Sequence, residues 1–196
     1  ALGKHLGSEQ NRLFARSGED WSPVEIFQER RVADLFRARD GSVWVAIEAD
    51  GVVQVTFGPK GPATVHHLKG RNIKAMAEDG EGNIWVGTWG QGVFEQSADG
   101  WTHHLEKEDA AILKVVADEQ GRIWAATSAH GLWRFDGKAW TQHLEDEGNI
   151  SLLAANQSGV WVSSRVRSGL RRWTGEEWQT AIETPLPFFG VLETET

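Results

Sequence analysis

One short pattern recurs along this chain at intervals of about forty residues. The stretch GNIWVGTWGQGVF at residues 82–94 returns as GSVWVAIEADGVVQV, GRIWAATSAHGLWRF and SGVWVSSRVRSGLRRW. The aligned tryptophans are Trp44, Trp85, Trp124 and Trp161, which lie 41, 39 and 37 residues apart. Regular self-similarity of this length indicates a repeat architecture, in which each copy folds as one unit and packs on its neighbours.

Each repeat has the pattern of four short strands. In the second copy the segments IKAMAED, IWVGTW, VFEQSA and WTHHLE are separated by glycine-containing turns. Alternating apolar residues between such turns are typical of β-hairpins, and no stretch shows a helical period. Four of the outer strands begin at a tryptophan, namely Trp21, Trp101, Trp140 and Trp178. Four strands in about forty residues predict an all-β fold, a β-propeller of four-stranded antiparallel blades.

The two chain ends predict a closed ring of five blades. GKHLGSEQNRLFARSGEDW, near the N-terminus, is an eroded fifth copy with His5 in the tryptophan position, and PFFGVLETET at the C-terminus resembles a lone first strand. Joined, they form one blade whose innermost strand is C-terminal and buries Phe188 or Phe189 with Val191 and Leu192, so that no sheet edge is left unpaired. The predicted single domain, residues 1–196, has units of approximately 32–72, 73–111, 112–149, 150–187, and 188–196 joined with 1–31.

Composition narrows the classes of function. The net charge of −8 and the pI of about 5.4 argue against nucleic acid as a partner, because phosphates would be repelled. The sequence has no run of 18 apolar residues, so no membrane insertion is predicted. The absence of cysteine excludes a disulfide framework and a thiolate metal site. We expect a soluble monomer without a cofactor.

The two best copies resemble a known repeat. NIKAMAEDGEGNIWVGTWGQGVF and ILKVVADEQGRIWAATSAHGLWRF are similar to the two-component regulator propeller repeat, whose signature is an Asp, a turn Gly, an Ile-Trp-x-Gly-Thr strand and a Gly-Leu-x-x-Phe strand. Family members usually form seven-bladed wheels in periplasmic sensor domains, many associated with polysaccharide sensing. The resemblance implies the repeat fold, ligand sensing and a periplasmic or secreted location. Five units and no kinase segment are departures from the family pattern.

Positions that recur between repeats are interpreted as scaffold. The tryptophan shared by all four clear copies is predicted to pack between neighbouring blades. Asp79, Asp118 and Asn156 precede the first hairpin turn of their units, where a short side chain can bond the backbone amides of the turn.

Positions that differ between repeats are the candidates for function. In the loop between the second and third strands, one position holds Glu9, Glu48, Trp89, Ser128 and Arg165, and a second holds Asn11, Asp50, Gln91, His130 and Arg167. We predict that these side chains ring one mouth of the central tunnel, where ligands most often enter propellers. Asp34, Lys74 and Lys114, at the start of innermost strands, belong to the same region and either line or fill the tunnel. The alternative is that these surface loops have simply drifted.

Three functional classes follow. A ligand-binding module would recognise a small polar molecule or glycan, with Trp89 stacking on a ring and Arg165 and Arg167 pairing with a carboxylate. The first alternative is a protein–protein interaction scaffold. The second is a lyase or hydrolase in which His130 acts as base with Glu9 or Glu48.

No metal site is predicted from the histidines of the outer strands. Adjacent residues of a strand face opposite ways, and the histidines of different units lie a blade apart. They are His66, His67, His103, His104 and His143.

Overall fold

The computed structural model shows a chain built from short antiparallel strands. It describes residues 2–6, 11–17, 20–23, 30–59, 61–167, 169–184 and 188. In this part of the chain the regular structure is β throughout, which confirms the predicted all-β class.

The strands form one three-stranded sheet and four four-stranded sheets, and each sheet runs in chain order from its first to its last strand. The three-stranded sheet contains β1 (Leu2–Leu6), β2 (Asn11–Ser17) and β3 (Asp20–Pro23). The first four-stranded sheet contains β4 (Val32–Arg37), β5 (Val43–Ile47), β6 (Gly51–Gly58) and β7 (Gly61–His67). The second contains β8 (Ile73–Glu78), β9 (Ile84–Thr88), β10 (Val93–Ser97) and β11 (Gly100–His104). The third contains β12 (Ile112–Ala117), β13 (Ile123–Thr127), β14 (Leu132–Phe135) and β15 (Trp140–His143). The fourth contains β16 (Ile150–Asn156), β17 (Gly159–Ser164), β18 (Leu170–Trp173) and β19 (Trp178–Ile182).

Two predictions about the strands have different outcomes. The predicted outer strands are confirmed, because β3, β11, β15 and β19 each carry a tryptophan at or next to their first residue. The predicted fourth strand of the β1–β3 sheet stays a prediction, because residues 189–196, with Phe189, Val191 and Leu192, lie outside the described residues.

The N-terminal hairpin differs from the predicted alignment in its register. With His5 in the tryptophan position, His5 would lie opposite Ala15, as Trp44 lies opposite Gln54. In the structure His5 lies opposite Arg12, and Leu2 lies opposite Ala15. Without a tryptophan, this hairpin lacks the large side chain that sets the register in the other copies.

The chain divides into two compact units, residues 1–74 and 75–196, each with its own apolar core. In the first unit, the core comprises Val32, Val43, Val45, Ile47, Val53 and Val55. In the second unit, apolar residues of consecutive sheets share clusters, such as Trp85, Val93, Ile112 and Ile123. Gly87 shows how closely these sheets approach, because a Cβ there would lie 2.6 Å from the Cγ2 atom of Ile112.

The buried tryptophan of each repeat is bonded to the turn that precedes it. Trp85 and Trp124 each donate an indole N–H to the carboxylate six residues earlier, Asp79 or Asp118, at 2.8 Å. The other oxygen of Asp118 accepts the backbone amides of Gln120 and Arg122, each at 3.0 Å. One carboxylate therefore closes the hairpin and satisfies the indole, which confirms the predicted role of these positions.

The remaining copies solve the same problem with other acceptors. Asn156 accepts the indole N–H of Trp161 at 3.0 Å. In the first four-stranded sheet Ala38 stands at the aspartate position, and the hydroxyl of Ser42 accepts the indole N–H of Trp44 at 3.1 Å. The requirement for an acceptor is thus shared, while its identity varies.

Between the second and third sheets an aromatic cluster is linked by hydrogen bonds. His104 lies 5.0 Å from Trp85 by ring centroids, donates from Nε2 to Glu95 at 2.9 Å, and accepts at Nδ1 from the indole of Trp140 at 3.3 Å. Phe135 completes the cluster at 5.5 Å from Trp85. Each of the polar atoms that takes part therefore has a partner.

The matching cluster between the third and fourth sheets carries a cation where the first carries a carboxylate. Arg134 lies opposite Trp124 in register, as Glu95 lies opposite Trp85. Four buried nitrogens of this cluster have no hydrogen-bond partner among the described residues: Arg134 Nε, His143 Nε2 and the indole nitrogens of Trp173 and Trp178. Burial, and secondly the charge of Arg134, lower the pKa of His143. Substitution of an acceptor by a donor at one position has left the cluster unsatisfied.

We expect Asp118→Ala to lower the free energy of unfolding by about 3 kcal/mol, because the Trp124 indole and two turn amides would lose their acceptor. Urea denaturation measures this change. Glu119→Ala, in the same turn and exposed, is the matched control and should leave the midpoint nearly unchanged. Equal stability of the two variants would contradict this role of Asp118.

We expect Arg134→Glu to stabilise the protein by about 1 kcal/mol near pH 7.5, because a carboxylate can accept the unpaired donors as Glu95 does. The pH dependence should change as well. Because the pKa of His143 is lowered from 6.5, its share of the stability is complete above pH 6.5 and is lost as the pH falls below that value.

In Arg134→Glu that loss at low pH should shrink or reverse, since a carboxylate favours the protonated imidazole. Urea midpoints between pH 5 and 8 measure it. Arg134→Gln, which removes the charge without adding a carboxylate, should weaken the loss without reversing it. Identical pH profiles of the wild type and Arg134→Glu would refute the coupling between the two side chains.

Candidate functional site

The variable loops of the second unit are joined by one row of backbone contacts. Trp89 forms a β-bridge with Ala111, whose carbonyl oxygen accepts the amide of Ser128 at 2.9 Å. The Ser128 carbonyl accepts the amide of Asn149 at 2.7 Å, and the Asn149 carbonyl accepts the amide of Arg165 at 3.1 Å. The structure therefore brings Trp89, Ser128 and Arg165, which share one repeat position, to the same end of three consecutive sheets.

We call the surface formed by Trp89, Gln91, Ser128, His130, Arg165 and Arg167 the loop face. Trp89 is 58% exposed, in contrast to the almost fully buried Trp85 four residues earlier. Gln91 is exposed, and its carbonyl oxygen contacts Nε2 of His103 at 2.8 Å. Ser128 accepts the amide of Ala111 with its hydroxyl at 3.1 Å. A large, exposed indole beside polar side chains is suited to stacking on a ligand ring.

The acidic candidates of the first unit are engaged by local arginines. Asp50 accepts a hydrogen bond from Arg30 at 2.8 Å, and Glu48 lies 3.6 Å from Arg31. Arg30 and Arg31, which precede β4, therefore pair with both carboxylates.

The candidates on innermost strands occupy related positions. A β-bulge precedes both Asp34 in β4 and Lys114 in β12, and Asp34 accepts the amide of Leu35 at 2.9 Å. Lys114 and Lys74 have exposed side chains. Among the N-terminal candidates, Glu9 lies outside the described residues and Asn11 begins β2.

Sequence reasoning missed the buried carboxylate of the site, Glu108. It lies in the link between the second and third sheets, three residues after Leu105, whose φ is 52°, and its amide donates to the Leu105 carbonyl at 2.9 Å. Glu147 repeats the arrangement after Leu144, with φ of 54° and the same 2.9 Å bond. The shared spacing from leucine to glutamate was the available signal.

Glu108 holds the histidine of the loop face. Its side chain is 4% exposed, and Oε1 lies 2.7 Å from Nδ1 of His130. The same oxygen accepts the amide of Ala110 at 2.9 Å, and Oε2 accepts the indole N–H of Trp133 at 2.9 Å. Within the described residues, the carboxylate that contacts His130 is thus Glu108, which the sequence analysis did not select.

Glu147 makes the equivalent contacts with arginines. Both of its oxygens bind the guanidinium of Arg171, one also accepts the hydroxyl of Ser164 at 3.2 Å, and Arg167 lies 3.5 Å away. Burial lowers the pKa of Arg171. Arg171 stands at the strand position of Trp133, and Arg167 at the loop position of His130. The same buried carboxylate therefore supports a different exposed group in each blade.

Ligand atoms of Glu108, Asp109 and His130 lie within 4.8 Å of one another. The contacts of Glu108 described above all come from N–H groups, and they engage both of its oxygens. Glu108 therefore belongs to a hydrogen-bond network that orients His130. In this arrangement the oxygens of Glu108 accept hydrogen bonds and are not open positions for a metal ion.

A cavity of about 250 Å³ lies at the opposite strand ends of the third and fourth sheets. Its lining includes the turn residues Asp118, Arg122, Asn156 and Ser158 together with Trp173. Most of these polar groups bond one another, as Arg122 does with Asp118 at 2.7 Å. None of the loop-face residues lines it.

Membrane insertion through a helix has no support among the residues that the structure describes, since no helix there has the length and hydropathy for it.

One segment of the chain matches the model of a known repeat family. Residues 67–90, which include Trp85 and Trp89, match the family model described as the two component regulator propeller. This stretch is therefore similar to the two-component regulator propeller repeat. This confirms the resemblance of the second copy, and no curated protein matches the sequence.

Solved structures share the fold at low identity. The extracellular domain of a hybrid two-component system of B. thetaiotaomicron is 19% identical with a TM-score of 0.64, covering 83% of this chain and 24% of that one. A catalytically inactive virginiamycin B lyase from Staphylococcus aureus, with quinupristin, is 14% identical with a TM-score of 0.69, covering 95% and 75%. YCF48 bound to the D1 peptide is 14% identical with a TM-score of 0.64, covering 88% and 61%. This chain thus spans about a quarter of the length of the two-component extracellular domain.

Proposed function

We propose that the chain is a ligand-binding propeller module whose loop face recognises a small polar molecule or glycan. The observation that carries the proposal is the exposed indole of Trp89, set in a backbone-bonded row with Ser128 and Arg165. An exposed indole is well suited to stacking on the apolar face of a sugar ring.

The neighbouring groups supply polarity around that indole. The Arg165 and Arg167 side chains are exposed, and His130 is held by Glu108 with half of its side chain accessible. These groups differ between repeats, so the shared fold does not require them. A ligand that stacks on Trp89 would meet hydrogen-bonding groups from the next two sheets.

A protein-binding scaffold is the second candidate, favoured by Val166. This residue lies between Arg165 and Arg167 of the loop face and is 64% exposed. Val166 and Trp89 are therefore two large exposed apolar side chains that a protein partner could cover. YCF48 is a propeller of similar fold with a bound peptide. In this alternative Val166 would contribute to affinity, whereas a sugar that stacks on Trp89 would not require it.

We also propose that residues 188–196 supply the innermost strand of the β1–β3 sheet and close a ring of five blades. Phe188 supports this path, because its amide donates to the hydroxyl of Ser163 at 3.0 Å and its carbonyl accepts the hydroxyl of Ser151 at 2.9 Å. The chain has therefore returned to the innermost strand of the fourth sheet, where the next innermost strand is expected to begin.

We expect titration with cello-, xylo-, manno- and laminari-hexaose to change the intrinsic tryptophan fluorescence for at least one sugar. Trp89→Ala should abolish that change and weaken binding at least tenfold, because one stacked ring contributes about 1 to 3 kcal/mol. Isothermal titration calorimetry checks the affinity independently of fluorescence.

Phe57→Ala is the matched control for Trp89→Ala, because Phe57 is 59% exposed and lies near the end of β6, whose first residue follows the variable loop of its own sheet. It should bind as the wild type does. Loss of binding in Val166→Ala but not in Trp89→Ala would favour the protein scaffold, and full sugar affinity in Trp89→Ala would exclude the proposed stacking site.

We expect deletion of residues 187–196 to prevent cooperative folding, because the lost strand would bury Val191, Leu192 and a phenylalanine, each contributing about 1.5 to 3 kcal/mol. Circular dichroism melting measures the effect. Deletion of residues 194–196 alone is the control and should melt close to the wild type. An unchanged melting temperature of the longer deletion would refute the shared blade.

A further inference from the structure

We propose that Glu108 fixes the ring of His130 as the Nδ1–H tautomer, so that Nε2 faces the ligand as a hydrogen-bond acceptor and reads a hydroxyl group. The tautomer follows from the free protein alone. The assignment of the hydroxyl rests on the proposed function of the loop face.

The contacts of Glu108 determine which group carries the proton. The amide of Ala110 and the indole of Trp133 can only donate, and they engage different oxygens of the carboxylate. An ionised carboxylate has enough lone pairs to accept from both of these donors and from a third group. A carboxylate only accepts, so the 2.7 Å contact with Nδ1 of His130 requires a hydrogen on that nitrogen.

The rest of His130 is held so that the other nitrogen faces outward. The backbone amide of His130 donates to the hydroxyl of Thr127 at 2.7 Å, and its carbonyl accepts from Gln142 at 3.0 Å. Within the described residues the ring is bonded through Nδ1, and 48% of the side chain is exposed. A neutral imidazole with Nδ1 protonated offers an acceptor at Nε2.

In the next sheet, the equivalent loop position carries a hydrogen-bond donor instead of an acceptor. Arg167 occupies the loop position of His130 and lies 3.5 Å from its own buried glutamate, Glu147, but a guanidinium can only donate. The link that carries Glu147 lies beside the loop of His130, because a Cβ on Gly148 would lie 2.9 Å from Cα of Ala129, the residue before His130. The loop face therefore offers an acceptor in one loop and a donor at the same position of the next.

This pairing narrows the ligand class. A carboxylate only accepts and an ammonium only donates, whereas a hydroxyl does both. Neighbouring sugar hydroxyls can donate to His130 Nε2 and accept from Arg167 while the ring stacks on Trp89. The structure thus favours a ligand with neighbouring hydroxyl groups, such as a glycan, over a lone carboxylate or ammonium group, neither of which can bond to both side chains.

Nitrogen NMR of the full chain tests the tautomer. At pH 8, where an ordinary histidine is neutral, long-range ¹H–¹⁵N correlations should show His130 with the hydrogen on Nδ1. His103 is the internal control, because its Nε2 lies 2.8 Å from the Gln91 carbonyl oxygen and must donate there. Spectra of His130→Asn and His103→Asn assign the two rings. A hydrogen on Nε2 of His130 would overturn the proposal.

Two substitutions of His130 test whether its Nε2 accepts a hydrogen bond from a ligand hydroxyl. Asn can keep a donor near Nδ1 for Glu108 but has nothing at Nε2, whereas Gln can place an oxygen near Nε2. With the hexaose that binds the wild type, His130→Asn should bind about three- to tenfold more weakly, and His130→Gln should lose less. Wild-type affinity in His130→Asn would refute the acceptor role.

Failure of this proposal and failure of the proposed function give different results. If none of the four hexaoses binds the wild-type protein, the glycan function fails, while the NMR result still decides the tautomer. If a hexaose binds through Trp89 but His130 carries its hydrogen on Nε2, the ligand site stands and the role of Glu108 is wrong.

Discussion

The buried indole N–H of each repeat is the group on which the rest of the blade depends. A tryptophan supplies the large apolar surface that a short four-stranded sheet needs, but its N–H cannot stay unpaired inside the core. Asp79 and Asp118 solve this with one carboxylate that also closes the preceding hairpin. Local turn geometry and core packing are thereby coupled through a single side chain, and Ser42 and Asn156 show that any nearby acceptor can serve.

Because the repeats share one fold, equivalent positions of this chain can be compared with one another. At the position of Glu95 and Arg134, one pair of sheets has its donors satisfied. The other pair has four buried nitrogens that find no partner in the part of the chain that the structure describes. The position of Glu108 and Glu147 shows a buried carboxylate that holds a histidine in one blade and arginines in the next. Shared positions build the frame, and exchanged positions give each blade a different chemistry at the same place.

The candidate site was predictable in part. The sequence predicts which loop positions vary, and the structure brings Trp89, Ser128 and Arg165 into one row because the links between sheets bond to those loops. The role of Glu108 was not predictable, because its partners His130 and Trp133 lie 22 and 25 residues later, in the next sheet. A glutamate in a polar link has the sequence pattern of a solvated charge, and only packing reveals that it is buried.

The sequence by itself determined the repeat length, the strand pattern, the turn aspartates and the tryptophans of the core. These features depend on side-chain alternation and on hydrogen bonds within a few residues, which are local along the chain. The tertiary structure decided the register of the eroded N-terminal hairpin, the unsatisfied cluster around Arg134 and the partner of His130. Those depend on which side chains meet across neighbouring strands and sheets, and such distances are set by packing rather than by separation along the chain.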